Sequence, residues 1–138
     1  MVAAVADGTI DVISSMHTPQ DEESKRLPYE EAASGAVGLE TILPAALQLY
    51  HNGSITLPSL FRALSLNPAK RFNVPGGTLN IGSNADLVLF DPNSPFVLNR
   101  FSLMSKSKNT PYDETVMQGK IIKTFVSGRE VYGASAGE

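Results

Sequence analysis

The 138 residues carry 11 Lys and Arg against 14 Asp and Glu, a net charge of −3, with 42% hydrophobic residues, 18% charged residues and no cysteine. This is the composition of a globular chain rather than a disordered one; its acidic balance excludes the basic face that nucleic acid requires, and the lack of cysteine excludes disulfides and thiolate metal sites. The start, Met1 to Asp7, has no basic n-region, and no apolar run approaches the roughly 20 residues of a bilayer span, so a soluble, cytoplasmic protein without a membrane partner is expected.

Residues 1 to 10 are small and apolar, broken by the turn dipeptide Asp7-Gly8, and read as a helix end leading into a strand over Ile10–Ser14. Val12 and Ile13 are β-branched, and Pro19 stops any strand before it. A charged run, Asp21 to Arg26, and a small-residue turn, Ala32 to Gly35, follow as loop. A strand, a long polar loop holding His17 and then a helix make one strand-to-helix unit of an α/β fold, whose chemistry sits at the strand's carboxyl end.

Leu39, Ile42, Leu43, Ala46, Leu47 and Tyr50 form one apolar stripe, which predicts a helix over 39–50, either kinked at Pro44 or starting near Thr41 with Pro44 in its first turn. A second helix starts at the N-cap Thr56, with Leu57, Leu60, Phe61 and Leu64 as its stripe. Asn67-Pro68 breaks it, Asn67 capping a short third helix to Phe72. From Thr78 the chain reads as β: a short strand or turn at 79–82, a strand over Asp86–Asp91, a loop at Pro92–Pro95, a strand at Phe96–Leu98, and a hairpin of 121–126 with 129–132 around Ser127-Gly128. Residues 99–119 read as a long irregular loop, functional or tied to another segment. The boundary falls near Val74, giving units 1–74 and 75–138, the last five residues a frayed tail.

Local chemistry alone does not reach a reaction. No phosphate loop, dinucleotide fingerprint, nucleophile elbow or His-Glu-x-x-His occurs. His51 ends a helix and reads as structural. His17 has the better position for function, although a single loop histidine is more often simply hydrogen-bonded. Asp21, Glu22, Glu23, Glu30 and Glu31 read as a solvated face pairing with Lys25 and Arg26, and Asp86 and Asp91 as strand-end turn formers.

A family resemblance carries further. Asp7 to Ile13, the His17-x-Pro19 core, Asp21 to Arg26, Gly35-x-x-Gly38-Leu-Glu-Thr41, Asn67-Pro-Ala69, Gly82-x-x-Ala85-Asp-Leu-Val-Leu-Phe-Asp91, Ser105-Lys-Ser-Lys-Asn-Thr-Pro111 and the hairpin around Gly128 together resemble class I dihydroorotases. The Ala-Asp-Leu segment indicates the wider amidohydrolase group, while the Ser105–Pro111 and Gly38–Thr41 segments narrow it to dihydroorotases and weaken a hydantoinase or allantoinase reading. The resemblance implies a zinc-dependent hydrolase on a (β/α)8 TIM barrel with an accessory antiparallel β-sandwich, interconverting N-carbamoyl-aspartate and dihydroorotate in pyrimidine biosynthesis. A metal-activated water would attack the cyclic amide, with a carboxylate carrying the proton.

Two departures follow from the same alignment of residues. A barrel of that kind needs about 250 residues, so the chain is expected to be the carboxyl-terminal segment: the last barrel strand, its loop and helices, and part of the sandwich. The family's amino-terminal metal ligands have no counterpart, so the chain alone is expected to hold no metal. The family's Asp-x-x-Pro-His loop reads Met16-His17-Thr18-Pro19-Gln20 here. Met16 stands at the catalytic Asp position, which leaves the chain no catalytic residue of its own. Gln20 stands at the substrate-binding His position, and Ser34, Gly35 and His17 complete the candidate substrate-binding set. The chain is therefore expected to be inactive in isolation. The other reading is a non-catalytic subunit supporting a transcarbamoylase or a catalytic partner. Apolar helix stripes deprived of a barrel are expected to drive self-association or association with the missing barrel portion.

Overall fold

The computed structural model describes residues 1–134. Its elements are helix α1 (Val2–Ala6), α2 (Glu22–Lys25), α3 (Ile42–His51), α4 (Leu57–Phe61), a π-helical turn (Arg62–Leu66), α5 (Asn67–Phe72), and strands β1 (Leu87–Val97), β2 (Val116–Val126) and β3 (Arg129–Gly133). The strands form one antiparallel sheet in the order β1-β2-β3. Helices precede the sheet, and α3 and α4 pack together, with α3 also lying against β2.

α3 begins at Ile42 after Thr41. Pro44 therefore sits in the first turn, where its missing N–H is one that no helical partner would have met. Leu39 and Glu40 lie outside the helix, and Leu39 is 64% exposed. The side chain of Thr56 accepts the Ser59 N–H and caps α4. The expected break at Asn67-Pro68 does not occur. The helix widens into a π turn over 62–66 and runs on through Pro68. A widened turn accommodates a ring that would otherwise crowd the carbonyl four residues earlier. Asn67 is helical rather than a cap, and its side-chain amide donates to the Asp11 carbonyl at 2.9 Å. Asn73, left-handed at φ 52°, ends α5.

Leu47 and Leu60 are wholly buried and form the core with Leu43, Ala46 and Ile55. Phe61 meets Phe90 of β1 with ring centroids 5.5 Å apart, and Leu57, Leu64 and Ile121 close over the same cluster. The α4 stripe is thus partly covered within the chain, by Phe90 and Ile121, with Leu60 alone of its members fully buried. Gly119 of β2 lets the sheet approach, since a Cβ there would stand 2.3 Å from Leu47 Cδ1.

The 121–126/129–132 hairpin forms as expected, with Val126 opposite Arg129 and positive φ at both Ser127 and Gly128, the geometry of a two-residue hairpin turn. β2 starts five residues before the expected strand because Val116 to Gln118 pair with Pro95 to Val97. The expected loop at 92–95 lies inside β1 as an irregularity, between the pairs Asp91–Lys120 and Pro95–Gln118. Pro92 has no N–H to give the ladder, and Asn93 N–H turns onto Asp91. Residues 79–82 form a turn, with Ser83 N–H donating to Asn80. The expected Ile10–Ser14 strand has no strand partner among the described residues. Ile13 N–H instead donates to the Ala63 carbonyl at 3.0 Å.

Candidate functional site

The candidate residues lie where three irregular segments meet: 14–20, 33–41 and 103–112. The first enters after Ile13, and the second leads into α3. The third connects the short turn at Arg100–Ser102 with β2. The expectation that residues 99–119 are tied to another segment is met here.

Met16 adopts φ 45° and is 77% exposed. Its thioether offers neither charge nor a proton acceptor of useful basicity. Next to it, His17 is half-buried and its Nδ1 accepts both Gly38 N–H at 3.0 Å and Leu39 N–H at 3.3 Å. That nitrogen is therefore the unprotonated one, and the ring serves as a peg for the entry to α3. Thr18 N–H donates to Ala36 O at 3.1 Å, so residues 15–18 run along 35–38. The approach is close enough to demand glycine twice. A Cβ on Gly35 would lie 2.3 Å from Thr18 O, and one on Gly38 would lie 2.5 Å from Ser15 O. Gly35 also holds φ 119°, a value side chains rarely allow.

Gln20 turns back onto the same loop, its side-chain amide donating to Ser34 O at 3.1 Å. The carbonyls on either side of Ser34 are also taken: Lys25 Nζ donates to Ala33 O at 2.6 Å and to Gly35 O at 3.3 Å. Arg26, by contrast, makes the expected solvent-exposed pairs, with Glu22 and Glu23. The run Asp21 to Arg26, expected as loop, holds helix α2, because Asp21 accepts Ser24 N–H at 2.8 Å as its N-cap. That bond holds the Asp21 carboxyl below its ordinary value.

Lys25, expected to pair with the nearby carboxylates, instead holds two loop carbonyls, and three further residues that hold the site, Glu40, Ser107 and Asn109, stood in the sequence only as members of motifs. The Glu40 carboxylate accepts Met104 N–H at 2.9 Å and Ser105 N–H at 3.2 Å. The Ser107 hydroxyl lies between Gln20 O and Asn109 Oδ1, and its single proton is shared between these two acceptors. Asn109 Oδ1 accepts Gln20 N–H, its Nδ2 donates to Gly35 O, and its carbonyl accepts Val37 N–H. The available signal was the Ser105–Pro111 motif itself, which is dense in hydrogen-bonding side chains.

The predicted set is thus brought together as one bonded loop but not into one cavity. Met16 and Gly35 border an open groove of about 590 Å³ with Val37, Thr41, Ala45 and Tyr112. Gln20 borders a separate cleft of about 560 Å³ with Asp21, Lys106 and Lys108. His51 lies far along the chain from both and donates from Nε2 to Pro92 O, 2.9 Å away, joining α3 to β1. Asp86 accepts Ser127 N–H at 2.7 Å, a turn role. Among the described residues no group of three or more His, Asp or Glu is disposed to hold a metal ion. With Met16 a thioether and His17 Nδ1 engaged, these residues do not fit a zinc site.

The comparisons with known proteins agree on one group. The model of the amidohydrolase family matches residues 2–131. The chain is 42% identical over 134 residues to a dihydroorotase of Ehrlichia canis (strain Jake), covering 97% of this chain and 30% of that protein. It is 42% identical over 132 residues to a dihydroorotase of Aquifex aeolicus (strain VF5), covering 96% and 31%. Among solved structures, the L-hydantoinase (dihydropyrimidinase) from Arthrobacter aurescens matches with TM-score 0.88 at 30% identity, over 96% of this chain and 31% of that one. The dihydropyrimidinase from Brevibacillus agri NCHU1002 matches with TM-score 0.88 at 23% identity, over 96% and 30%, a likeness of fold alone. The chain spans about 30% of the length of the curated relatives it matches, and the segment matched is their carboxyl-terminal one.

Proposed function

Since the chain belongs to the amidohydrolase family, we propose that it is the substrate-loop segment of a dihydroorotase-like cyclic amide hydrolase and is inactive alone. On this reading residues 1–74 are the end of a barrel and residues 75–138 part of a β-sandwich, the rest of both coming from a larger protein or a partner. The observation that carries the proposal is the bond from the Gln20 side chain to Ser34 O, which joins the two segments of the candidate substrate set. Among the described residues no hydrogen bond uses the Ser34 or Gly35 N–H. These donors are open to the carbonyl and carboxylate oxygens of dihydroorotate or N-carbamoyl-aspartate.

What these residues can do is bind and orient. Ring opening needs a base to take a proton from water, and ring closure needs the reverse transfer. A thioether at position 16 and an amide at position 20 can do neither. A positioned general base is worth roughly 10²- to 10⁴-fold in rate. The same two residues favour the second reading, a non-catalytic subunit serving a transcarbamoylase or a catalytic partner.

The test is a chimera in which this chain replaces the matching segment of the Aquifex aeolicus dihydroorotase, assayed for dihydroorotate ring opening with Met16 and with Met16→Asp. The expected result is no turnover by the 138-residue chain and at least 100-fold more turnover by the Met16→Asp chimera than by the Met16 chimera, the lower end of the general-base effect. Turnover by the isolated chain would refute the proposal. A folded Met16→Asp chimera no faster than its Met16 counterpart would turn the choice to the second reading.

A further inference from the structure

We infer that Asn109 is a positioning residue: it fixes the spacing between Gln20 and the Ala33–Gly35 loop and so sets the geometry of the candidate substrate-binding surface, an inference that rests on the function proposed above. Asn109 stands 89 residues from Gln20 and 74 from Gly35, yet one side chain bonds both. Its orientation is not open to reversal. The atom facing Gln20 N–H must accept, so it is the oxygen, and the atom facing the Gly35 carbonyl must donate, so it is the nitrogen. A primary amide supplies both an acceptor and a donor on one planar group, which a carboxylate or a methyl group does not.

The surroundings support the same role. The single Ser107 hydroxyl proton is shared between Gln20 O and Asn109 Oδ1, so the Gln20 carbonyl and N–H both face this pair of side chains. Glu40 anchors the start of the segment by taking Met104 and Ser105 N–H. On the other side of the loop, three consecutive carbonyls are held by side chains: Ala33 O by Lys25, Ser34 O by Gln20, and Gly35 O by Lys25 and Asn109. With its carbonyl edge tied down, the loop presents Ser34 and Gly35 N–H in a fixed direction. Asn109 is the member of this set that reaches both sides, and it is half-buried.

The experiment uses the ¹⁵N,¹³C-labelled 138-residue chain and the variants Asn109→Ala and Asn109→Asp. Asp keeps the acceptor toward Gln20 and loses the donor toward Gly35. The alanine variant is expected to exchange the Gln20 amide about fivefold faster, the loss of one ordinary hydrogen bond, with the Phe125 amide of the hairpin unchanged. The aspartate variant is expected to keep Gln20 protected while the Gly35 carbonyl resonance moves as it does in the alanine variant. This split is a signature that general loosening does not produce. Unchanged Gln20 exchange in Asn109→Ala, or equal acceleration in both variants, would overturn the inference, and if the alanine variant fails to fold, loss of Gln20 protection in a folded Asn109→Asp does so. In a parallel titration, L-dihydroorotate is expected to shift the Ser34 and Gly35 amides of the parent chain at least tenfold more tightly than those of Asn109→Ala. Equal binding by both would also overturn the inference. No binding by the parent would count against the proposed function, with the exchange data still deciding the role of Asn109.

Discussion

Replacing Gly35 by alanine should loosen the loop at the centre of the candidate site, and the cost can be assembled from its geometry. The backbone there has φ 119°, a region that costs a side chain ~1–3 kcal/mol. The new Cβ would lie 2.3 Å from Thr18 O and 2.8 Å from Thr18 Cβ, and a backbone oxygen cannot rotate aside. The two segments must separate, which weakens Thr18 N–H to Ala36 O and the Gln20–Ser34 bond, at ~0.5–1.5 kcal/mol each. The total is about 2–6 kcal/mol, large against a domain stability of ~5–15 kcal/mol. Gly53→Ala is the control: it also has positive φ, 75°, but nothing stands within 4 Å of its Cβ, so it carries only the left-handed penalty of ~1–2 kcal/mol. Urea unfolding of both variants, with amide exchange at Thr18, separates strain from collision. Gly35→Ala should lose more stability than Gly53→Ala and should speed Thr18 exchange. Equal urea midpoints and unaltered Thr18 exchange would refute the close approach.

Further outcomes test the scaffold. Leu47→Ala removes a wholly buried side chain from beneath β2 and should cost ~2–5 kcal/mol in urea unfolding, whereas Leu39→Ala, at a position 64% exposed, should change it by less than about 0.5 kcal/mol. Thr56→Ala removes the cap on Ser59 N–H and should cost ~0.5–2 kcal/mol, read as a lower melting temperature, with Thr56→Ser close to the parent. Asp21 titrates below its ordinary carboxylate value in the folded chain because it accepts Ser24 N–H. Its contribution is therefore present above the unfolded value of 3.8 and is lost as pH falls through the lower folded value. Amide exchange at Ser24 should accelerate over that acid range, and Asp21→Asn, which caps without charge, should remove the dependence.

What could be read from the residues was whatever is fixed within a few positions of the chain. The α3 stripe with Pro44 in its first turn, the Thr56 cap and the Ser127-Gly128 turn each depend on neighbours in sequence, and each is found. What could not be read depends on partners far away. The Ile10–Ser14 stretch has strand composition, but a strand exists only through its ladder, and its N–H at Ile13 meets a helix carbonyl instead. Asn67-Pro68 carries a local break signal that packing overrides through a π turn. Asn109 shows the limit most plainly, since nothing near it in sequence says that it bonds Gln20 and Gly35.

On the function proposed above, the loop separates two requirements that amide hydrolysis joins. Holding a ring in place needs a rigid surface of donors, and this chain has the parts for one: glycines at 35 and 38 where only hydrogen fits, carbonyls pinned from Ala33 to Gly35, and a neutral His17 nitrogen pegging the entry to α3. Moving a proton needs a basic group in the loop, and Met16, exposed there, offers only a thioether. Loss of a base removes rate while leaving the ground-state contacts in place. On that same proposal, a frame of donors without a base is what a supporting subunit would need, and it is also a frame that an acid at position 16 would turn to catalysis. The two differ in what Met16→Asp does once the remainder of the barrel is supplied: a segment whose frame is catalytic gains rate, and one that serves only to bind does not.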